Sequence, residues 1–122
     1  MAKQRVLVVD DDEAFSKMLC DCLKLHGYEV SSAGSMEEAI NLFKRHKPKV
    51  VLLDFNMPLV TGDVFLPVLQ SVDAGVRVIV ITGETQDEVE DKFKGLGYFA
   101  FFEKGNLSLD KLKQKVDEAF SY

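Results

Sequence analysis

Four short apolar runs in the chain each lead into residues able to do ionic chemistry. Val6-Leu7-Val8-Val9 runs into Asp10, Asp11 and Asp12, and Val50-Val51-Leu52-Leu53 runs into Asp54. Val78-Ile79-Val80-Ile81 runs into Thr82, and Phe99-Ala100-Phe101-Phe102 is followed, after Glu103, by Lys104. If these ends meet, several carboxylates share a small space and each close pair repels by about 4 kcal/mol at an effective dielectric near 20. A carboxylate can escape by taking a proton, or the group can hold a hard divalent cation. Mg²⁺ suits one or two carboxylates with water and phosphate oxygens completing the shell. With Mg²⁺ and Lys104 in place a phosphoryl group becomes welcome, and Thr82 can donate a hydrogen bond to it. A carboxylate can then be the nucleophile and form an aspartyl phosphate. Asp54, alone at the end of its run, is the candidate nucleophile; Asp10 and Asp11 are the candidate metal holders.

The elements that must position these residues can be read from periodicity. Short β-branched runs punctuated by polar residues are buried parallel strands. Between them lie amphipathic stretches. Phe15, Met18, Leu19, Cys22, Leu23 and Leu25 recur at helical spacing, with Gly27 as a stop. Asp12 is placed to cap that helix. Tyr28 to Ser32 reads as a more polar strand near a sheet edge. Ser35 and Glu38 form a capping box for a helix whose Ala39, Ile40 and Phe43 face inward. The basic cluster Lys44, Arg45, His46, Lys47 and Lys49 falls at its end, where cations complement the helix dipole. Asp54 to Gly62 is a loop broken by Pro58 and Gly62. A third helix follows over about 63–72, with Pro67 expected to distort it or delay its start. An acidic fourth helix runs from Glu84 to about Lys94, and a last one carries Leu109, Leu112, Val116 and Phe120 as its stripe. Five strands alternating with five helices imply a doubly wound α/β fold, a five-stranded parallel sheet with helices on both faces and strand order 2-1-3-4-5. Sites in such sheets form at the carboxyl ends of the strands.

Residues 1–122 read as one domain, since this length suits a single core. A net charge of −5 argues against nucleic-acid binding, which demands clustered cations. The start has no signal-peptide core and no run is long enough to span a bilayer. Cys20 and Cys22 lie about 200° apart on a helix and cannot bridge there. Free cysteines suit a reducing compartment, so a cytoplasmic location is expected, with no membrane partner.

The whole chain resembles a response-regulator receiver domain, the phosphoacceptor module of two-component signalling. The resemblance rests on Val8-Val9-Asp10-Asp11-Asp12, on Leu52 to Pro58 with Gly62, on Ile81-Thr82-Gly83, and on Gly97 to Lys104. It implies that Asp54 accepts a phosphoryl group from a histidine kinase or phosphotransfer protein. It implies Mg²⁺ on Asp10, Asp11, Asp54 and the backbone carbonyl of Asn56, with Thr82 and Lys104 on the phosphoryl oxygens. Thr82 and Phe101 would switch together, changing the affinity of a surface made by the fourth helix, fifth strand and fifth helix for a downstream protein that the sequence does not name. Asn56 and Glu84 flank the expected phosphoryl group and would set phosphate lifetime. On this reading the chain is not a turnover enzyme for an external substrate.

The chain departs from the family pattern at Gly105, where the family usually has proline after the lysine. The expectation is a trans Lys104-Gly105 peptide with a reshaped loop, or a strained one. Tyr98 replaces a usually small residue; it either packs on a neighbouring helix or enlarges a partner surface. Three other readings stand beside this one. A flavin carrier on the same fold needs a Ser/Thr/Gly-rich phosphate loop, where this chain has three acids. A phosphatase with an aspartyl nucleophile would use Asp10 and Asp12. A receiver-like scaffold would take no phosphate at all. No residues are left over for an output domain, so the chain either docks on a partner or is part of a longer protein.

Overall fold

The computed structural model describes residues 4–57 and 59–121, so Pro58 of the loop motif lies outside the described residues. Five strands form one parallel sheet: β1 (Arg5–Val9), β2 (Glu29–Ala33), β3 (Val50–Asp54), β4 (Arg77–Thr82) and β5 (Ala100–Glu103), in the order β2-β1-β3-β4-β5. The helices are α1 (Glu13–Leu25), α2 (Met36–His46), α3 (Gly62–Val72), α4 (Gln86–Phe93) and α5 (Leu109–Ser121), with a 3₁₀ turn over Lys104–Asn106. The expected strand order is the observed one.

Strand alternation divides the core in two. Leu7, Val9, Val51, Leu53, Val78 and Val80 face α2, α3 and α4, where they meet Phe43, Leu66, Leu69 and Phe93. Val6, Val8, Val50, Leu52, Ile79 and Ile81 face α1 and α5, where they meet Leu19, Leu23, Leu112 and Val116. Every apolar residue of β3 is fully buried, as a central strand covered on both faces requires. Burying such a side chain stabilises the fold by about 1.5–3 kcal/mol each. β2, at the edge, is the most polar strand.

The helix boundaries differ from expectation in instructive places. In α1 the buried positions are Ser16, Leu19, Cys20 and Leu23. Met18 and Leu25, expected inward, are 41% and 86% exposed. Asp12 caps the helix, its Oδ1 accepting from the Phe15 N–H at 3.1 Å, and the way α1 docks on the sheet decides which face is buried. Cys20 is therefore the buried cysteine and Cys22 the flanking one. At α2 the Ser35 hydroxyl accepts from the Glu38 N–H at 3.2 Å, but the Glu38 carboxylate reaches Gly34 N–H rather than that of Ser35. α3 starts at Gly62, and Pro67 sits inside it without delaying its start. Pro67 is exposed, so water can satisfy the carbonyl its missing N–H leaves free. α4 begins two residues later than expected: Glu88 accepts from the Thr85 N–H at 3.1 Å, which makes Thr85 the cap and leaves Glu84 in the loop.

Candidate functional site: an acidic cluster under a lysine

Parallel register carries the four punctuation residues to one edge of the sheet. Val9 pairs with Leu53, so Asp10 and Asp54 stand at one level. Asp54 pairs with Ile81, one residue before Thr82, and Thr82 pairs with Glu103, one residue before Lys104. Oxygens of Asp10, Asp11 and Asp54 all lie within 4.8 Å of one another. Asp10 and Asp54 are only 4% and 3% exposed, and Asp11 faces solvent.

Each acid is held by its own turn. Asp10 Oδ1 accepts from the Asp12 N–H at 2.9 Å, and Asp54 Oδ1 accepts from the Asn56 N–H at 3.2 Å. The remaining oxygens face the lysine: Lys104 Nζ lies 2.9 Å from Asp10 Oδ2 and 3.6 Å from Asp54 Oδ2. Burial, and then the charge of Asp10, push the Asp54 carboxyl up to about 6, against the opposing pull of Lys104 and the Asn56 amide. Burial alone would lower the Lys104 ammonium, but its bond to Asp10 and the charges of Asp54 and Asp10 outweigh that and raise it. Two buried acids with a third beside them and one ammonium leave an excess of negative charge. Hard oxygen donors this close, with charge to spare, fit a divalent cation such as Mg²⁺.

The rim is built from the neighbouring loops. Thr82, fully buried, accepts through Oγ1 from the Glu84 N–H at 3.1 Å and keeps its own O–H for an acceptor. Asn56 is exposed and Glu84 half-buried. Gly62 is required by close approach: a Cβ there would lie 3.2 Å from the Asp54 carbonyl oxygen and 3.2 Å from Phe55 Cα. Lys104 opens the 3₁₀ turn, and there is no cis peptide among the described residues, so the loop at Gly105 is the reshaped trans alternative. Phe101 is half-buried, edge-on to Phe93 at 6.0 Å and to Tyr98 at 5.9 Å. Tyr98 also packs on Phe93 and is half-buried, so it meets the helix while part of it still faces solvent.

Two contributors escaped the sequence reading. Phe15 of α1 lies under the lysine, its ring centroid 4.6 Å from Nζ. Glu103 links β5 to α4, accepting from the Gln86 N–H at 2.8 Å and from Asn106 Nδ2 at 3.0 Å. Phe15 read as one more member of an apolar stripe, and no local signal marks a helix residue that touches a distant lysine.

The family model for the response regulator receiver domain matches residues 6–117. The chain belongs to the response-regulator receiver family. Receiver domains with known structures share its architecture: the Vibrio cholerae chemotaxis protein CheY4 superposes with a TM-score of 0.87 at 26% identity, covering 97% of this chain and 99% of that one. Among curated relatives, the transcriptional regulatory protein PrrA of Mycobacterium tuberculosis is 36% identical over 92 residues, 75% of this chain and 39% of PrrA. The sporulation initiation phosphotransferase F of Bacillus subtilis is 26% identical over 116 residues, 95% of this chain and 93% of its own length. The receiver chain spans about two fifths of the length of the transcriptional regulators it matches. No helix among its described residues is long and apolar enough to cross a membrane.

Proposed function

We propose that this receiver domain accepts a phosphoryl group on Asp54 from the phosphohistidine of a sensor kinase or phosphotransfer protein, and that the transfer switches a partner-binding surface. The observation that carries the reading is the placement of Asp54: nearly fully buried, at the end of a central strand, between two further acids and one ammonium. In the transfer an Asp54 carboxylate oxygen attacks phosphorus, the P–O bond forms as the P–N bond breaks, and the imidazole leaves. Asp10, Asp11, Asp54 and the Asn56 carbonyl are the groups that would hold Mg²⁺. When bound, that ion supplies charge neutralisation at the phosphoryl oxygens. Lys104 is already within a short swing of Asp54 and supplies a second positive charge. The Thr82 O–H donates to a phosphoryl oxygen. Phe55 packs edge-on to Phe93 at 5.7 Å, and Phe93 packs on Phe101, so a change at the strand end has a packed route to α4 and β5. Thr82 and Phe101 act as the switch pair, and the surface of α4, β5 and α5 is what the downstream protein reads. On this reading Asn56 and Glu84 orient or exclude the attacking water and so set phosphate lifetime.

The phosphatase reading loses support because Asp12, its second acid, is committed to capping α1. The test is intact-mass spectrometry after incubation with acetyl phosphate and Mg²⁺. A gain of one phosphoryl group, abolished by Asp54→Asn and by chelation, is expected. No gain on the wild type would favour the phosphate-free scaffold.

A further inference from the structure

The edge between α2 and α3 carries an apolar stripe that ends in a lysine-rimmed pocket. Of the six large apolar side chains exposed among the described residues, three (Val64, Val68 and Val72) lie on α3 at a spacing that puts them on one helix face, which makes a stripe rather than scattered singles. Val64, Val68 and Val72 are 59%, 43% and 46% exposed and follow one another at i, i+4 spacing along α3. Val72 also lines a cavity of about 290 Å³, together with Phe43, Lys44, Lys47, Lys49 and Asp73. Phe43 is buried and Lys44, Lys47 and Lys49 are exposed, so the cavity has an apolar floor and a cationic rim.

Two of the three rim lysines are unpaired among the described residues. Asp73 is already engaged, one oxygen accepting from the Gly75 N–H at 2.9 Å and the other facing Lys49 at 3.8 Å. Neither Lys44 nor Lys47 has an acidic partner among the described residues. Complementing the C-terminal end of α2 explains why cations sit there, but not why they surround an aromatic floor continuous with a valine stripe.

We infer that the α2–α3 edge is a docking surface for an acidic amphipathic segment of a partner protein, its apolar side chains on Val64, Val68 and Val72, one of them in the Phe43–Val72 pocket, and its carboxylates on Lys44 and Lys47. Charge complementarity selects this occupant. Ionic strength screens charges beyond roughly 8 Å, so a short acidic segment meets the local lysines. A peptide can also place a side chain in the cavity of about 290 Å³, which a flat anionic bilayer surface does not enter. The lysine rim lies apart from the acidic cluster: Lys49 precedes β3 and Asp54 ends it, about 16 Å away along the strand.

The probe is the blocked octapeptide Glu-Glu-Asp-Leu-Phe-Asp-Leu-Leu, titrated into the ¹⁵N-labelled, unphosphorylated protein. Amide shifts confined to residues 43–49 and 64–73, equally present in Asp54→Asn, are expected. The double variant Lys44→Glu/Lys47→Glu should loosen binding about tenfold. Val68→Ser, an exposed change that leaves the fold intact, should loosen it severalfold. A peptide with lysines in place of its acids should bind more weakly by a similar factor. Shifts elsewhere, no shifts at millimolar peptide, or equal binding of the charge-reversed peptide would overturn the proposal. So would co-sedimentation with phosphatidylserine vesicles that is lost in the double lysine variant while the peptide leaves the spectrum unchanged.

Discussion

The ammonium of Lys104 lies 2.9 Å from Oδ2 of Asp10. It is thus bonded to an acid other than the one read as phosphoacceptor, from which it stands 3.6 Å away. The resting lysine is held between two buried carboxylates with the Phe15 ring beneath it. New negative charge on Asp54 changes that balance, and the amine has only a short distance to travel.

Lys104→Met should therefore strand two buried acids. In chelator at pH 8 it should cost about 1–3 kcal/mol, less than a fully buried pair because the lysine is partly exposed. The cost should shrink as pH falls through 6 and Asp54 takes up a proton. Urea unfolding at pH 8 and pH 4 measures both values; an equal loss at the two would show the lysine to be a packing residue only.

Asp54→Asn should stabilise the metal-free protein at neutral pH. The folded Asp54 carboxyl is raised from 3.8 to about 6, so the folded state binds more protons than the unfolded one between those values. Wild-type stability accordingly falls as pH rises from about 4 to 6, by up to about 3 kcal/mol, and stays lower above that. The asparagine variant lacks this term. Its advantage over wild type, measured by denaturant unfolding in chelator, should be largest at pH 7–8 and vanish near pH 4.

Mg²⁺ should stabilise the fold through the same acids. At tenfold excess over its dissociation constant the gain is about 1.4 kcal/mol, a few degrees in Tm. Asp10→Asn and Asp11→Asn should each diminish the Mg²⁺-dependent rise, and chelation should remove it. Thermal scans with and without Mg²⁺ decide this, and an undiminished rise in both variants would move the ion elsewhere.

Gly62→Ala should destabilise although alanine is the better helix former. The new methyl would meet backbone atoms of Asp54 and Phe55 at 3.2 Å, and backbone cannot rotate aside. A net loss of about 1–2 kcal/mol is expected after the helix-propensity gain is subtracted. Because the displaced atoms belong to Asp54 and its neighbour, phosphorylation by acetyl phosphate should slow as well; chemical denaturation and the rate of mass gain report the two effects.

Much of this protein is legible in one dimension. Short β-branched runs with longer amphipathic stretches between them leave few alternatives to a parallel sheet with helices on both faces. Chain chirality then brings the carboxyl ends of those runs to one edge, so Asp10, Asp54, Thr82 and Lys104 could be placed together from their positions after Val9, Leu53, Ile81 and Glu103. Caps are equally local: Asp12 and Ser35 act within three residues of themselves.

What only the tertiary structure decided are matters of partner and angle. An apolar residue in a helix is a candidate for burial, but the docking angle of α1 chose Cys20 over Met18 and left Leu25 in water. Lys104 could have bonded either acid, and its position at the head of a 3₁₀ turn brought it closest to Asp10. Phe55, Phe93, Tyr98 and Phe101 are spread over 47 positions yet pack ring to ring, and Val72 and Phe43 come to line one cavity across the α2–α3 edge. Periodicity reports which side of an element is apolar; which side chains meet across the gap depends on how rigid elements are set against one another, and that is a property of the whole packed core.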